Sequence, residues 1–196
     1  MPAVERDSGQ ASPSFEREAA KRVFAAELRE VRVQFKEGED RKSPGFILFP
    51  TGERANRIFI VGTLTEKERR GEQNLYYQAR VADPTGTFYI MAGSYQPDAM
   101  QQMAMIEPPS FVAVIGKPTL FEGQSGATRV SVRAESISVV DAETRNIWIL
   151  DTARSTLKRI ESFGNTEDSK RAREQYNTDL QIYRKMVYDA LAQMKI

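Results

Sequence analysis

The side chains of this 196-residue sequence best suited to chemistry are aromatic and cationic, and they cluster in its middle third. Tyr76, Gln78 and Arg80 alternate along one stretch, Tyr89 and Met91 along the next, and Lys117, Phe121, Arg129 and Arg133 follow, with Arg69 and Arg70 just ahead of the group. Aromatic faces stack on unpaired bases for about 1 to 3 kcal/mol each, and arginine both pairs with phosphate and stacks. Such a set suits a platform for single-stranded nucleic acid. Covalent catalysis is much less accessible. The chain has no cysteine and no histidine, which excludes Ser-His-Asp and Cys-His nucleophiles, imidazole acid–base catalysis and the usual structural zinc sites. There is no P-loop pattern, no GxGxxG and no tight cluster of acids on an apolar strand. A non-catalytic protein without metal or cofactor is expected.

These residues belong on strands. The alternation Tyr77, Ala79, Val81 against Tyr76, Gln78, Arg80 has the period of two that puts the first set inward and the second outward. It runs into Asp83-Pro84-Thr85-Gly86, a turn in which the Asp83 carboxylate can hold backbone donors and Pro84 presets φ. The chain then returns with Phe88 and Ile90 inward and Tyr89 and Met91 outward. Strands are predicted at 57–65, 74–82, 87–92, 111–117 and 127–140, with a helix at 97–105 between the third and fourth. Polar loops are expected at 66–72, carrying Lys67, Arg69 and Arg70, and at 121–126, tipped by Phe121. Five strands with a helix between the third and fourth is the order of an OB-fold, which binds ligands on its second and third strands and the adjoining loops. Gly62 and Gly116 interrupt strand patterns and suggest the corners a small barrel needs.

The charge balance argues the other way. Eight Lys and Arg face eight Asp and Glu between 55 and 140. Binding through counter-ion release needs positive charge gathered on one face, so a neutral domain supplies it only by segregation. Small barrels of this type also serve as protein or sugar binders.

The flanks read as helical. Residues 1–14 lack apolar periodicity and are expected to form a mobile tail. From Phe15 through Ala19, Val23 and Val31 the apolar spacing predicts an amphipathic helix, followed by a charged linker at 36–43 and a buried run at 46–49. Asp141 is a candidate N-cap for a helix carrying Ile147, Leu150, Leu157 and Ile160, broken at Gly164-Asn165. A long helix over 167–194 then carries Tyr176, Leu180, Tyr183, Val187 and Leu191 on one stripe. That stripe packs either within the monomer or on another subunit. The expected division is 1–14 tail, 15–55 helix and linker, 56–140 barrel, 141–165 helix and 166–196 terminal helix. No apolar run approaches the length of a membrane helix and no signal peptide is evident, so a cytoplasmic protein is expected.

The runs RKSPGFILFPTGERANRIFIVGTLTE, RVADPTGTFYIMAGSYQPDAM and PPSFVAVIGKP, with KRVFAAEL before them, resemble the archaeal replication protein A-associated proteins, an OB-fold family related to the small or middle subunit of replication protein A. The resemblance covers about residues 15–160. It implies a mainly β fold with flanking helices: a five-stranded OB barrel with an N-terminal helix and C-terminal helices. It also implies a hetero-oligomer in which the chain acts with a larger replication protein A subunit to bind single-stranded DNA in replication and repair. In such assemblies the C-terminal helices join the subunits, which assigns the stripe of Tyr176, Leu180, Tyr183, Val187 and Leu191 to the partner. The alternative is an assembly subunit with little intrinsic affinity for DNA.

Overall fold

A computed structural model describes residues 18–38, 43–123 and 126–194. The elements in chain order are β1 (Lys21–Arg22), α1 (Ala25–Arg29), β2 (Val33–Lys36), β3 (Gly45–Leu48), β4 (Arg54–Ala55), β5 (Ile58–Arg70), β6 (Tyr76–Asp83), β7 (Gly86–Gly93), α2 (Pro97–Met105), β8 (Ser110–Glu122), β9 (Thr128–Val139), α3 (Ala142–Glu161), α4 (Glu167–Tyr176) and α5 (Leu180–Ala192). Strands pair in the order β5-β6-β7-β9-β8, and β8 returns to β5, which closes a five-stranded barrel. The β7–β9 pairing is parallel; the other four are antiparallel. This is the OB-type barrel with flanking helices expected from the sequence.

Alternation fills the barrel. Ala79 and Val81 of β6, Phe88 and Ile90 of β7, and Val130, Val132 and Ala134 of β9 are buried, as are Ile58, Ile60 and Leu64 of β5. α2 adds Ala99 and Met103 to the same core. At Gly116 a Cβ would lie 2.5 Å from the carbonyl oxygen of Arg133 and 2.8 Å from a Val132 methyl. The ladder shifts register at Ile115/Gly116, so this glycine admits the neighbouring backbone at a bulge. The other shift falls at Leu64/Glu66 rather than at Gly62.

Several elements depart from expectation. The strand at 57–65 continues to Arg70 and pairs with β6 as far as Arg70 opposite Tyr76, so the connection to β6 is shorter than the polar loop read at 66–72. Lys67 is drawn into structure: its ammonium donates to the carbonyls of Met103 and Ala104 at 3.2 and 2.7 Å, where it meets the negative end of α2. The helix expected from Phe15 is confined to Ala25–Arg29. Lys21 and Arg22 instead join β5 as a parallel strand, because the start of α1 is fixed from outside. The Asp83 carboxylate accepts from Ala25 N at 2.8 Å and the Thr85 hydroxyl from Ala26 N at 3.0 Å. The same carboxylate accepts from Thr85 N and Gly86 N. The turn between β6 and β7 therefore also caps α1. Burial pushes the Asp83 carboxyl up, against the donors that hold it down.

Of the buried run at 46–49, Phe46 to Leu48 belong to β3 of a separate three-stranded sheet, β2-β3-β4, and the antiparallel strands β2 and β3 flank the stretch read as a linker. The terminal helix is two helices. Asn177 takes a left-handed conformation with φ 45°, and the chain turns so that α5 packs on α3. The expected tail at 1–14, Phe15, the middle of the linker at 39–42, and Gln124 and Ser125 of the second loop lie outside the described residues. No helix among the described residues is long and apolar enough to cross a membrane.

Candidate nucleic-acid interface

The outward residues of four strands fall into rows that cross the barrel. Gln78 stands opposite Met91, Met91 opposite Arg133, and Arg133 opposite Lys117. In the neighbouring row Glu66 stands opposite Arg80 and Arg80 opposite Tyr89. On the other side Arg70 stands opposite Tyr76 and Tyr76 opposite Gly93. The β8–β9 ladder extends the face with Thr119 opposite Ser131 and Phe121 opposite Arg129. The barrel thus brings together Tyr76, Gln78, Arg80, Tyr89, Met91, Lys117, Phe121, Arg129 and Arg133, which are spread over 58 positions of chain, together with Arg70. Arg69 departs from the set. It stands opposite Tyr77, on the other side of the ladder from Arg70, because side chains alternate along a strand.

Tyr89 is 43% exposed and Phe121 46%. Tyr76, Gln78 and Met91 are half-buried, with one surface open. Aromatic and thioether surface is therefore available on the face.

The cations differ in their electrostatic state. On the β5 side they are matched. Arg80 Nε lies 2.8 Å from the Glu66 carboxylate, and its guanidinium sits 5.7 Å from the centroid of the Tyr89 ring. Arg70 pairs with Glu68 at 2.7 Å. On the β8–β9 side Arg129 and Arg133 have no ion-pair partner among the described residues. Lys117 reaches Glu135 only at 4.0 Å, and that carboxylate is already held in two bonds by Arg57 at 2.6 and 3.0 Å. The neutral barrel is thus segregated: matched pairs along β5 and β6, surplus positive charge along β8 and β9. Sequence reading placed Glu66 and Glu68 in a loop and so missed their pairing. The length of β5, not its composition, puts them on the face.

The terminal stripe is covered by its own chain. Tyr183, Val187 and Ala190 are buried, the last two completely, and Leu191 packs against the same core. The Tyr176 hydroxyl accepts from Arg32 N and Val33 N at 2.9 and 3.1 Å and donates to the carbonyl of Leu48. Leu180 is half-buried at the start of α5. The stripe thus packs within this chain, with its buried surface on α3 and the N-terminal segment and with Leu180 and Leu191 partly open. Large apolar side chains lie open elsewhere on the helices, with Ile147 52% and Leu150 40% exposed on α3, and Ile182 64% and Tyr188 66% on α5. Among the described residues no group of three or more Asp or Glu is placed to hold a metal ion.

No protein-family model matches the sequence, and no curated protein does. Among solved structures, a chain of the S. pombe Stn1-ten1 complex matches with a TM-score of 0.57 at 14% identity, covering 74% of this chain and 96% of that one. The second single-stranded DNA binding protein of Mycobacterium smegmatis matches with a TM-score of 0.38 at 19% identity, over 44% of this chain and 87% of that one. The mitochondrial single-stranded DNA binding protein Rim1 of S. cerevisiae matches with a TM-score of 0.35 at 19% identity, over 44% and 94%. The first of these likenesses spans barrel and flanking elements together, and what it shows is the fold.

Proposed function

We propose that this chain is a non-catalytic subunit that binds single-stranded DNA on the outward face of β6, β7, β9 and β8. The barrel at 56–140 is the binding unit, and the segments at 15–55, 141–165 and 166–196 support it. The observation that carries this reading is the segregation of charge: Arg129 and Arg133 have no ion-pair partner among the described residues and Lys117 has only a 4.0 Å contact to Glu135, beside the open surfaces of Tyr89, Met91, Tyr76 and Phe121. Phosphates run along the three cations while bases stack on the rings. Three neutralised phosphates give a slope of log affinity on log salt of about −2 for a single strand.

Anisotropy titration of a labelled oligothymidylate at several salt concentrations tests this. Arg129→Ala, Arg133→Ala and Lys117→Ala should each weaken binding and lower the slope by somewhat less than one. Unchanged affinity in all three would remove the face from the model.

A second reading, an assembly subunit whose helices hold a larger replication protein A subunit, is favoured by the open Ile147, Leu150, Ile182 and Tyr188. Contact through these residues, with the barrel still free to bind DNA, joins the two readings into a replication and repair complex. Ile147→Glu with Leu150→Glu should then abolish co-purification of the partner and spare DNA binding. Retention of the partner would sink this second reading.

A further inference from the structure

We propose that Tyr95 is a base-stacking residue: with Tyr76 it brackets the bare backbone of Gly93, and a nucleobase of single-stranded nucleic acid seats between them. The inference rests on the binding face argued above and extends it beyond the end of β7.

Tyr95 is 90% exposed. Its mount is firm. It occupies the third position of a turn closed by Gln96 N donating to the carbonyl of Gly93 at 2.9 Å, and the Gln96 carbonyl in turn accepts from Met100 N at 3.0 Å. Pro97 opens α2 directly behind it, and α2 is anchored in the barrel by Ala99 and Met103. A tyrosine held this way presents a large face while losing little side-chain freedom on binding, which is why such residues serve as contact anchors.

Gly93 supplies the second observation. It ends β7 and opens the turn closed by Gln96, and neither backbone conformation nor packing requires glycine there. Its φ is not in the left-handed region, and an added Cβ would meet only Tyr76 Cβ, at an ordinary 3.5 Å. What the missing side chain leaves is flat backbone beside Tyr76, its opposite residue on β6. Close approach of a ligand to backbone is a standard use of glycine.

The position fits the rest of the face. β7 runs parallel to β9 with Met91 opposite Arg133. Tyr89 and the Phe121–Arg129 pair therefore lie toward one end of the Met91–Arg133 row, and Gly93 with Tyr95 toward the other. Between Tyr89 and Gly93 lie four residues of rise, about 13 Å. A strand that crosses the uncompensated cations has a ring to stack on at both ends.

The test uses the full chain and a fluorescein-labelled oligothymidylate of about twelve nucleotides, within the usual site size, titrated by anisotropy at several salt concentrations. Tyr95→Ala should weaken binding about five- to tenfold, the loss of one stacked base, with the salt slope unchanged because no phosphate contact is lost. Tyr95→Phe should stay within about twofold, since the ring and not the hydroxyl carries the effect. Gly93→Ala and Gly93→Val should weaken binding with unchanged thermal melting. Arg133→Ala, run in parallel, should lower the slope. If Arg133→Ala weakens binding and Tyr95→Ala does not, the stacking site is overturned and the binding face stands. If the unaltered chain does not bind, or binds without regard to Arg129, Arg133 and Lys117, the face fails and the stacking site with it.

Discussion

The guanidinium of Arg159 lies 2.7 Å from the carboxylate of Glu27, a side chain wholly withdrawn from solvent, and joins α3 to α1 across 132 positions of sequence. Every acceptor site on that carboxylate is used. Thr51 and Thr156 donate their hydroxyls at 2.9 and 3.0 Å, and Phe24 N donates at 3.1 Å. Glu53 holds the other side of Arg159 at 3.1 Å. A buried charge is tolerated only when it is paired and its remaining hydrogen-bonding capacity is filled.

Glu27→Gln keeps the shape and removes the charge, leaving Arg159 to Glu53 alone. Breaking a buried pair from one side costs about 3 kcal/mol, or a fall in Tm of roughly 6 to 12 °C for a chain of this size. Urea and thermal unfolding followed by Trp148 fluorescence would measure it. A change under about 0.5 kcal/mol, the level of ordinary surface substitutions, would mean that the network contributes no stability.

Glu66 competes with phosphate for Arg80. Because the pair is exposed on both sides, it adds little to stability, but it holds one cation of the face neutral. Glu66→Gln should therefore raise affinity for oligothymidylate about two- to fivefold and steepen its salt dependence. Arg80→Ala should cost less than Arg133→Ala, since only the second removes uncompensated charge. The reverse ranking would move the phosphate path onto β5 and β6.

The Tyr176 hydroxyl ties the end of α4 to β2 and β3 through three hydrogen bonds. Tyr176→Phe leaves two N–H groups and a carbonyl without that partner, at a cost of about 1 to 3 kcal/mol. Faster amide exchange at Arg32 and Val33 should accompany the loss. Unchanged exchange there would show that the hydroxyl does not hold the sheet.

Asp141 caps α3 by accepting from Thr144 N at 2.8 Å. Its carboxyl is held below its ordinary 3.8 by the hydroxyl and N–H of Thr144. A depressed folded value means that the unfolded chain takes up the proton first, so the contribution is present above 3.8 and is lost as pH falls through the folded value. Asp141→Ala should lower Tm at neutral pH, and the difference should shrink as the pH falls below 3.8. A difference independent of pH would assign the effect to helix propensity instead.

Much of the barrel was legible in sequence because its cause is local. Alternation along β6 and β7 fixes which residues face inward, and Val81, Phe88 and Ile90 are buried where that period puts them. The Asp83-Pro84-Thr85-Gly86 turn and the Asp141 cap are likewise short-range chemistry. The helix at 15–31 misled because Val23, Phe24, Leu28 and Val31 are all buried, but from coil on either side of a short helix at Ala25–Arg29 rather than from one continuous helix. Apolar spacing reports burial and says less about the backbone that delivers it.

The candidate site divides in the same way. Tyr76, Gln78, Arg80, Tyr89 and Met91 face outward by period alone, and the residue types that could stack or pair were visible at once. Which cations are free was not visible. That depends on β5 running on to Arg70, which sets Glu66 against Arg80 and Glu68 against Arg70, and on β9 lying beside β7, which sets Arg133 against Met91. The fate of the terminal stripe turned on the left-handed Asn177, which sends Tyr183 and Val187 onto this chain's own core. The sequence by itself determined strand faces, turns and caps, since these follow from neighbours within a few residues. Only the tertiary structure decided pairing and exposure, because Coulomb interactions and burial depend on distances between segments that the chain brings together when it folds.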